Sequence, residues 1–437
     1  MKKIRNRSLF ALLICGVVIL GLIVYIISLW ANGDNWVMLR ANQQVFSQGV
    51  LNTGTLTDRN GTVLASAGDG IYRYADDEAL RRASLHVVGD YGGNIGTGAV
   101  NSFTAKLAGY SLINGVNSLR GEGNTLALSI DAKLQTAAYT ALAGRRGAVL
   151  VMNYETGEIL CMVSSPSFDP NVGLNPNSPM ETGEYINRAI SSVYVPGSVF
   201  KLVTLAAAIE NIDGLFERNF YCGGSVQVGN DTVNCTGTHG NQTIEAALAH
   251  SCNCAFSELS QELGGDKLAQ YAKMMGITDS LTLDGIPTAS GNFEKAAPGS
   301  SLLSWSGIGQ HTDLVSPYAM LRFVAAIAND GELVGPSILK KGTPSREVML
   351  SPQTAKTISD MMNNNVVSAY GEWLFPGVEM HAKTGTAEVG DGTSHAWFVG
   401  FTSGDERLAF TVILENAGGG LANAAPVANA VIQASIS

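Results

Sequence analysis

The chain has 437 residues, of which 46% are hydrophobic and 15% charged, with a formal net charge of −10. That composition excludes a disordered or coiled-coil protein and is enough for two or three domains around a large core. The charges in the first 33 residues are all positive (Lys2, Lys3, Arg5, Arg7), so setting these four aside leaves −14 on the remainder. An acidic folded part argues against nucleic acid or anionic lipid as its main partner.

Leu9 to Trp30 is a 22-residue apolar run without a charge. About 20 such residues span a bilayer, whereas the apolar region of a cleaved signal peptide has about 7–15. The run therefore reads as an uncleaved anchor, with residues 1–8 as a basic cytoplasmic tail and everything after it outside the cytoplasmic membrane. Gly54 to Ser66 reads as two short strands around an Asn60-Gly61 turn. A glycine-rich mixed region follows, and then Leu126 to Ala143 gives a strand and an amphipathic helix. From Gly147 the pattern becomes regular. Gly147–Asn153 and Glu158–Ser164 form a hairpin around Glu155-Thr156-Gly157, and a long buried helix opens at Pro196-Gly197-Ser198. Strands are predicted near 378–387, 395–402 and 408–415, with a last helix from about 424 to 435. Strands, then helices, then strands and a helix predict an α+β domain with helices on both faces of one sheet. The expected division is an anchor over 9–30, a small mixed α/β domain over 31–140 and the main domain over 141–437.

Three short motifs carry chemistry. In Ser198-Val199-Phe200-Lys201 the serine and lysine lie three apart, so on a helix they share a face. A serine nucleophile needs a neutral base beside it, and burial lowers a lysine pKa by disfavouring the charged form. Taken alone, Ser198 is equally a helix-capping serine. A second copy, Ser337-Ile338-Leu339-Lys340, follows Gly335-Pro336 and runs into Lys341-Gly342-Thr343-Pro344, which leaves no room for a buried helix. Ser251-Cys252-Asn253 places a hydroxyl and an amide at the junction of two helical segments, whereas its decoy Ser290-Gly291-Asn292 sits in a turn-like stretch. Lys383-Thr384-Gly385-Thr386 occurs once, on a predicted strand. There Lys383 and the threonine hydroxyls can hold a carboxylate, and Gly385 can let a substrate lie against the backbone. On its own it is also an edge strand protected by a lysine.

The three motifs in this order resemble the serine penicillin-recognising enzymes. Tyr194-x-Pro196-Gly197-Ser198-x-Phe200-Lys201, Gly307-Ile308-Gly309-Gln310, Ser165-Pro166-Ser167-Phe168-Asp169-Pro170-Asn171 and Thr156-Gly157-Glu158-Ile159 narrow the resemblance to class B penicillin-binding proteins. So do Asp58-Arg59-Asn60-Gly61 and Ser129-Ile130-Asp131. Two positions depart from the family pattern. Thr53 precedes Gly54 where an Arg-Gly pair is usual, and His311 stands where a glycine is more usual.

The resemblance implies a β-lactamase/transpeptidase-like domain with a five-stranded antiparallel sheet, carried on a short pedestal. It implies a peptidoglycan D,D-transpeptidase in which Ser198 is the nucleophile, Lys201 its base, and Ser251 and Lys383 a proton relay. Asn253, Thr384, Gly385 and Thr386 would bind the D-Ala-D-Ala stem peptide, and β-lactams would acylate Ser198. No metal, nucleotide or other cofactor is required by this scheme. The implied partners are stem peptides, β-lactams and a SEDS-family membrane glycosyltransferase. A D,D-carboxypeptidase or β-lactamase-like hydrolase shares the motifs, and a non-catalytic scaffold for such a glycosyltransferase is a further alternative. A subtilisin-like protease is rejected, because Gly392-Thr393-Ser394 and His239-Gly240 lack the surrounding pattern and a matching aspartate motif.

Of the six cysteines, Cys15 falls in the anchor. Cys222 and Cys235 bracket a polar loop and are candidates for a disulfide. The rival is a zinc site of Cys252, Cys254 and His239, whose spacing fits no common ligand pattern.

Overall fold

The computed structural model describes residues 2–39, 46–47, 50–51, 53–68, 71–113, 123–174, 183–340, 342, 344–390 and 392–437. The N-terminal helix spans Lys2–Val37 and includes the whole apolar run. Its Lys3–Gly33 stretch is long and apolar enough to cross a membrane, and its apolar side chains are exposed rather than packed on the folded part.

The small domain is built on a four-stranded sheet in the order Ile71–Tyr74, Val63–Gly68, Thr53–Thr57, Thr125–Ala127. The hairpin at Asn60-Gly61 forms as expected: Asp58 Oδ1 accepts from Asn60 N and Thr62 N, and Gly61 takes the left-handed φ of +92° that the turn requires. Helix Glu78–Val88 starts at Asp77, whose carboxylate accepts from Leu80 N at 2.7 Å. It buries Leu80, Ala83, Leu85, Val87 and Val88.

The main sheet has five antiparallel strands in the order Glu379–Glu388, Ser394–Ser403, Leu408–Leu414, Gly147–Asn153, Ile159–Ser165. Side chains alternate across a strand, so the apolar run of each central strand feeds two layers. Ala148, Leu150, Met152, Trp397, Val399, Ala409 and Ile413 point into the core shared with helices Lys201–Asn211 and Pro317–Ala328. Val149, Val151, Phe398, Phe410, Val412 and Leu414 point into the core under the C-terminal helix Gly420–Ile436.

That second core also takes Leu134, Ala138 and Leu142 of helix Ala132–Leu142. The expected boundary between residues 140 and 141 cuts this helix near its end. The helix packs both on the main domain, against the C-terminal helix and strand Ile159–Ser165, and on helix Glu78–Val88 of the small domain.

Several motifs with no chemistry of their own lie at the seam between the domains. Arg81 binds Asp169 through two hydrogen bonds of 2.9 and 2.8 Å. Arg59 pairs with Glu158 at 3.2 Å, and Ser129 Oγ donates to the carbonyls of Ile159 and Ser337. The second S-x-x-K copy is not helical: Ser337 bridges to Glu158 and its hydroxyl donates to the Asp284 carboxylate. Lys340 Nζ donates to Arg59 O. Lys341 and Thr343, read as ending that segment, lie outside the described residues.

Candidate active site at the edge of the main sheet

The turn before Ser198 is held from three sides. Gly197 N donates to Gly309 O at 2.7 Å, Trp397 Nε1 donates to Val195 O at 2.9 Å, and Tyr194 OH donates to Glu415 Oε1 at 2.9 Å. Gly197 adopts φ +54°, and a Cβ there would lie 2.7 Å from Thr386 O, so only glycine fits between this turn and the edge strand. The expected long helix begins differently from its reading in the sequence. Gly197–Phe200 is a 3-10 turn and the α-helix proper is Lys201–Asn211. A 3-10 turn eclipses positions three apart, which keeps Ser198 and Lys201 on one side.

Lys201 is fully buried. Its Nζ donates to Ser251 O at 2.6 Å, Ser251 Oγ at 3.2 Å and Asn253 Oδ1 at 2.7 Å. Among the described residues no hydrogen bond joins Lys201 Nζ to Ser198 Oγ. An ammonium has three donors, and all three are engaged by the second motif. Burial pulls the Lys201 amine down to about 7, partly opposed by the nearby Cys235, Cys252 and Cys254 sulfurs. Losing one proton frees the lone pair that a serine hydroxyl needs.

Ser251 sits where helices Ile244–Ala249 and Asn253–Met274 meet, at φ +53°. Its Oγ accepts a second bond from Lys383 Nζ at 3.1 Å, and Lys383 Nζ also donates to Thr384 O at 3.0 Å. Lys383 is fully buried, and burial followed by repulsion from Lys201 holds its amine well below the ordinary lysine range. The edge strand thus carries a buried lysine pointing inward, not a solvent-facing protective one.

Ser198, Ser251, Asn253, Thr384 and Thr386 line one cleft of about 670 Å³. Gly385 does not. A Cβ there would press on Pro196 O and Val199 Cγ1, both at 3.0 Å, and on Trp397 Cβ at 3.1 Å. The glycine makes room for the nucleophile turn. Thr384 N and Oγ1 both donate to Tyr370 OH at 3.2 Å, whereas Thr386 is exposed. Asn234, Cys235, Thr236, Trp305, Ile308, Gln310, His311 and Glu388 complete the lining. Ile308 and Gln310 belong to the Gly307-Ile308-Gly309-Gln310 segment that the sequence singled out, and His311 follows it. Of Asn234 to Thr236 only Cys235 was singled out, and for a disulfide, because it is the strand Asp231–Asn234 folding back that brings this stretch over the cleft.

The family profile of the penicillin binding protein transpeptidase domain matches residues 147–433. The peptidoglycan D,D-transpeptidase PbpA of Mycobacterium tuberculosis is 30% identical over 390 residues, covering 77% of each chain. The chain belongs to the class B penicillin-binding proteins. Stage V sporulation protein D of Bacillus subtilis is 31% identical over 353 residues, covering 72% of this class B protein and 54% of that one. Among solved structures, the D,D-transpeptidase domain of a peptidoglycan glycosyltransferase from Eggerthella lenta superposes with a TM-score of 0.75 at 27% identity, covering 88% of this chain and 98% of its own. The ceftriaxone acyl-enzyme complex of M. tuberculosis penicillin-binding protein A shares the fold with a TM-score of 0.77 at 24% identity, covering 91% and 100%.

Behind the S-x-N turn of this penicillin-binding protein the structure corrects the cysteine readings. Cys222 and Cys235 do not form a disulfide, and all six cysteines are free. Each sulfur lies beside a different neighbour, Cys222 Sγ 3.5 Å from Cys254 and Cys235 Sγ 3.9 Å from Cys252. Their contact pulls the Cys235 thiol down and pushes the Cys252 thiol up.

Proposed function

We propose that this membrane-anchored penicillin-binding protein cross-links peptidoglycan as a D,D-transpeptidase through an acyl-enzyme on Ser198. The carrying observation is that two buried lysines meet on one hydroxyl, Ser251 Oγ, in the cleft that also holds Ser198. Ser198 Oγ attacks the carbonyl between the terminal D-alanines while neutral Lys201 takes its proton. The N–H groups of Ser198 and Thr386 receive the oxyanion, helped by the start of the helix behind Ser198. The proton taken by Lys201 passes through Ser251 Oγ, which Lys383 also contacts, to the departing D-alanine amine. An amine from a neighbouring stem peptide then takes the acyl group, and its proton returns to Ser198 by the same path. Asn253 orients the peptide amide. Thr384 and Thr386 hold the terminal carboxylate. A β-lactam enters by the same attack and leaves the serine acylated.

Lys2, Lys3, Arg5 and Arg7 before the apolar helix favour a cytoplasmic N-terminus and an extracytoplasmic catalytic domain. The class B resemblance supports a SEDS-family glycosyltransferase as the membrane partner. Incubating the full-length protein with a D-Ala-D-Ala stem peptide and an amine acceptor tests the activity. Release of D-alanine with incorporation of the acceptor, lost in Ser198→Ala, is the expected outcome. D-alanine release without acceptor incorporation would make the protein a carboxypeptidase instead.

A further inference from the structure

The hairpin covering the cleft brings together four side chains that the transpeptidase chemistry does not use. Cys222 ends strand Phe220–Cys222, Cys235 follows strand Asp231–Asn234, and His239 precedes strand Gly240–Gln242. Cys252 is the residue between Ser251 and Asn253. Three separate segments deliver these groups to one point: the three sulfurs and a ring nitrogen of His239 all lie within 4.8 Å of one another. Cys222 and Cys252 are buried, and the other two are half-buried.

We propose that Cys222, Cys235, His239 and Cys252 form a structural zinc site that staples the hairpin to the S-x-N turn. Thiolates and an imidazole suit a borderline-soft ion with tetrahedral preference, and Cys3His is a recurrent structural zinc set. Tetrahedral zinc with sulfur ligands at about 2.3 Å places those sulfurs roughly 3.8 Å apart. Cys235 Sγ lies 3.9 Å from Cys252 Sγ and 3.7 Å from His239 Nδ1, close to that spacing. A disulfide would engage two of these groups and leave His239 unexplained. The His239 ring is held by stacking on His250, with centroids 5.0 Å apart and planes 7° apart. His250 is fixed in turn by Gln242 Oε1 at 2.9 Å from Nδ1. Around the ligands, Asn253 N donates to Cys235 Sγ at 3.2 Å, and Cys254 Sγ lies against Cys222 Sγ as an outer neighbour. The ligand set differs from the one read in the sequence: Cys252 and His239 are common to both, Cys254 stands outside, and Cys222 and Cys235 stand inside.

The consequence for catalysis is positional. Asn253 is tied to the hairpin twice, by its backbone N–H on Cys235 and by Nδ2 donating to Asn234 O at 2.8 Å. Its Oδ1 holds Lys201 Nζ at 2.7 Å. Metal bound at the cluster therefore fixes the residue that orients the base.

The test uses full-length protein purified in detergent under reducing conditions without added metal. Elemental analysis is expected to find one zinc per chain, and Co2+ exchanged into the site is expected to give the strong thiolate-to-cobalt absorption. Cys235→Ser and His239→Ala should lose the metal, whereas Cys254→Ser should keep it and serve as the folding control. Chelation should slow penicillin acylation by about tenfold or more, restored by Zn2+. A chain with no zinc that takes up no Co2+, its sulfurs freely reactive or paired as disulfides, overturns the site. Loss of metal in Cys254→Ser with retention in Cys235→Ser overturns the ligand set. Unchanged acylation after verified zinc removal overturns the link to Asn253. Metal content and the cobalt spectrum are read without substrate, so they stand whether or not transpeptidation is observed.

Discussion

At the scale of single residues, the site works through competition for hydrogen bonds. Lys201 as an ammonium spends all three donors on Ser251 and Asn253, so it must lose a proton before it can accept one from Ser198. With that amine held at about 7, the neutral fraction grows as pH rises through neutrality. Penicillin acylation is expected to climb with pH and level off above about 8, following one ionisation. Rates measured across the range, on protein shown to stay folded, check this; a flat profile from about 5.5 to 8.5 would remove Lys201 as the base. Ser251→Ala deletes the hydroxyl shared by both lysines. It is expected to lower transpeptidation by about 100-fold or more while leaving the fold intact, as read by turnover beside circular dichroism. The serine and lysine types at these positions were legible in the sequence, because spacing of three residues is a local property. Which groups the lysine touches was not, since those partners lie 50 and 52 residues away.

At the scale of elements, the edge strand and the nucleophile turn depend on missing side chains. Gly385→Val places a Cβ at 3.0 Å from Pro196 O and Val199 Cγ1, and two further methyl groups beyond it. Overpacking of this kind costs roughly 1–3 kcal/mol. Acylation is expected to fall further than stability, because the displaced segment carries Ser198. Gly419→Ala, which meets nothing within 4 Å, is the control. Thermal unfolding and penicillin labelling of the two variants separate the outcomes; equal labelling in both would contradict the packing role. The strands themselves were readable from alternation and apolar runs, and the three predicted near the C-terminus appear at Glu379–Glu388, Ser394–Ser403 and Leu408–Leu414. The last helix begins earlier than expected, at Gly420, because glycine and alanine at its start give no apolar periodicity to read. The 3-10 turn at Gly197–Phe200 was hidden for a different reason: it is imposed by the strand and turn that clamp it, not by local propensity.

At the scale of the whole molecule, the pedestal and the transpeptidase unit share one core and a set of buried polar contacts. The Arg81 guanidinium, through its hydrogen bonds, holds the Asp169 carboxyl below its usual range. Arg81→Met is expected to destabilise the protein by on the order of 2 kcal/mol, read as a lower denaturant midpoint; an unchanged midpoint would contradict a fastening role for the pair. His86 is buried at the same seam, its Nε2–H donating to Glu184 O at 2.7 Å, and burial pulls it down to about 4. Its unfolded value is near 6.5, so between those limits the unfolded chain binds the extra proton. The stability from a neutral His86 is present above about 6.5 and is lost as pH falls toward 4, up to roughly 3 kcal/mol. His86→Gln should flatten that part of the stability profile, and an unaltered profile would assign the acid sensitivity elsewhere. This seam was only half legible: the family-like motifs Asp58-Arg59-Asn60-Gly61 and Ser129-Ile130-Asp131 marked its place, but nothing in the local pattern paired Arg81 with a residue 88 positions away.

All three scales converge on a nucleophile fixed in space at Ser198. Exposing the full-length protein to penicillin, digesting it and locating the adduct by mass spectrometry tests that claim most directly. One penicilloyl group on the peptide holding Ser198, absent in Ser198→Ala, is the expected result. An unmodified chain, or an adduct at Ser337 or any other position, would contradict it.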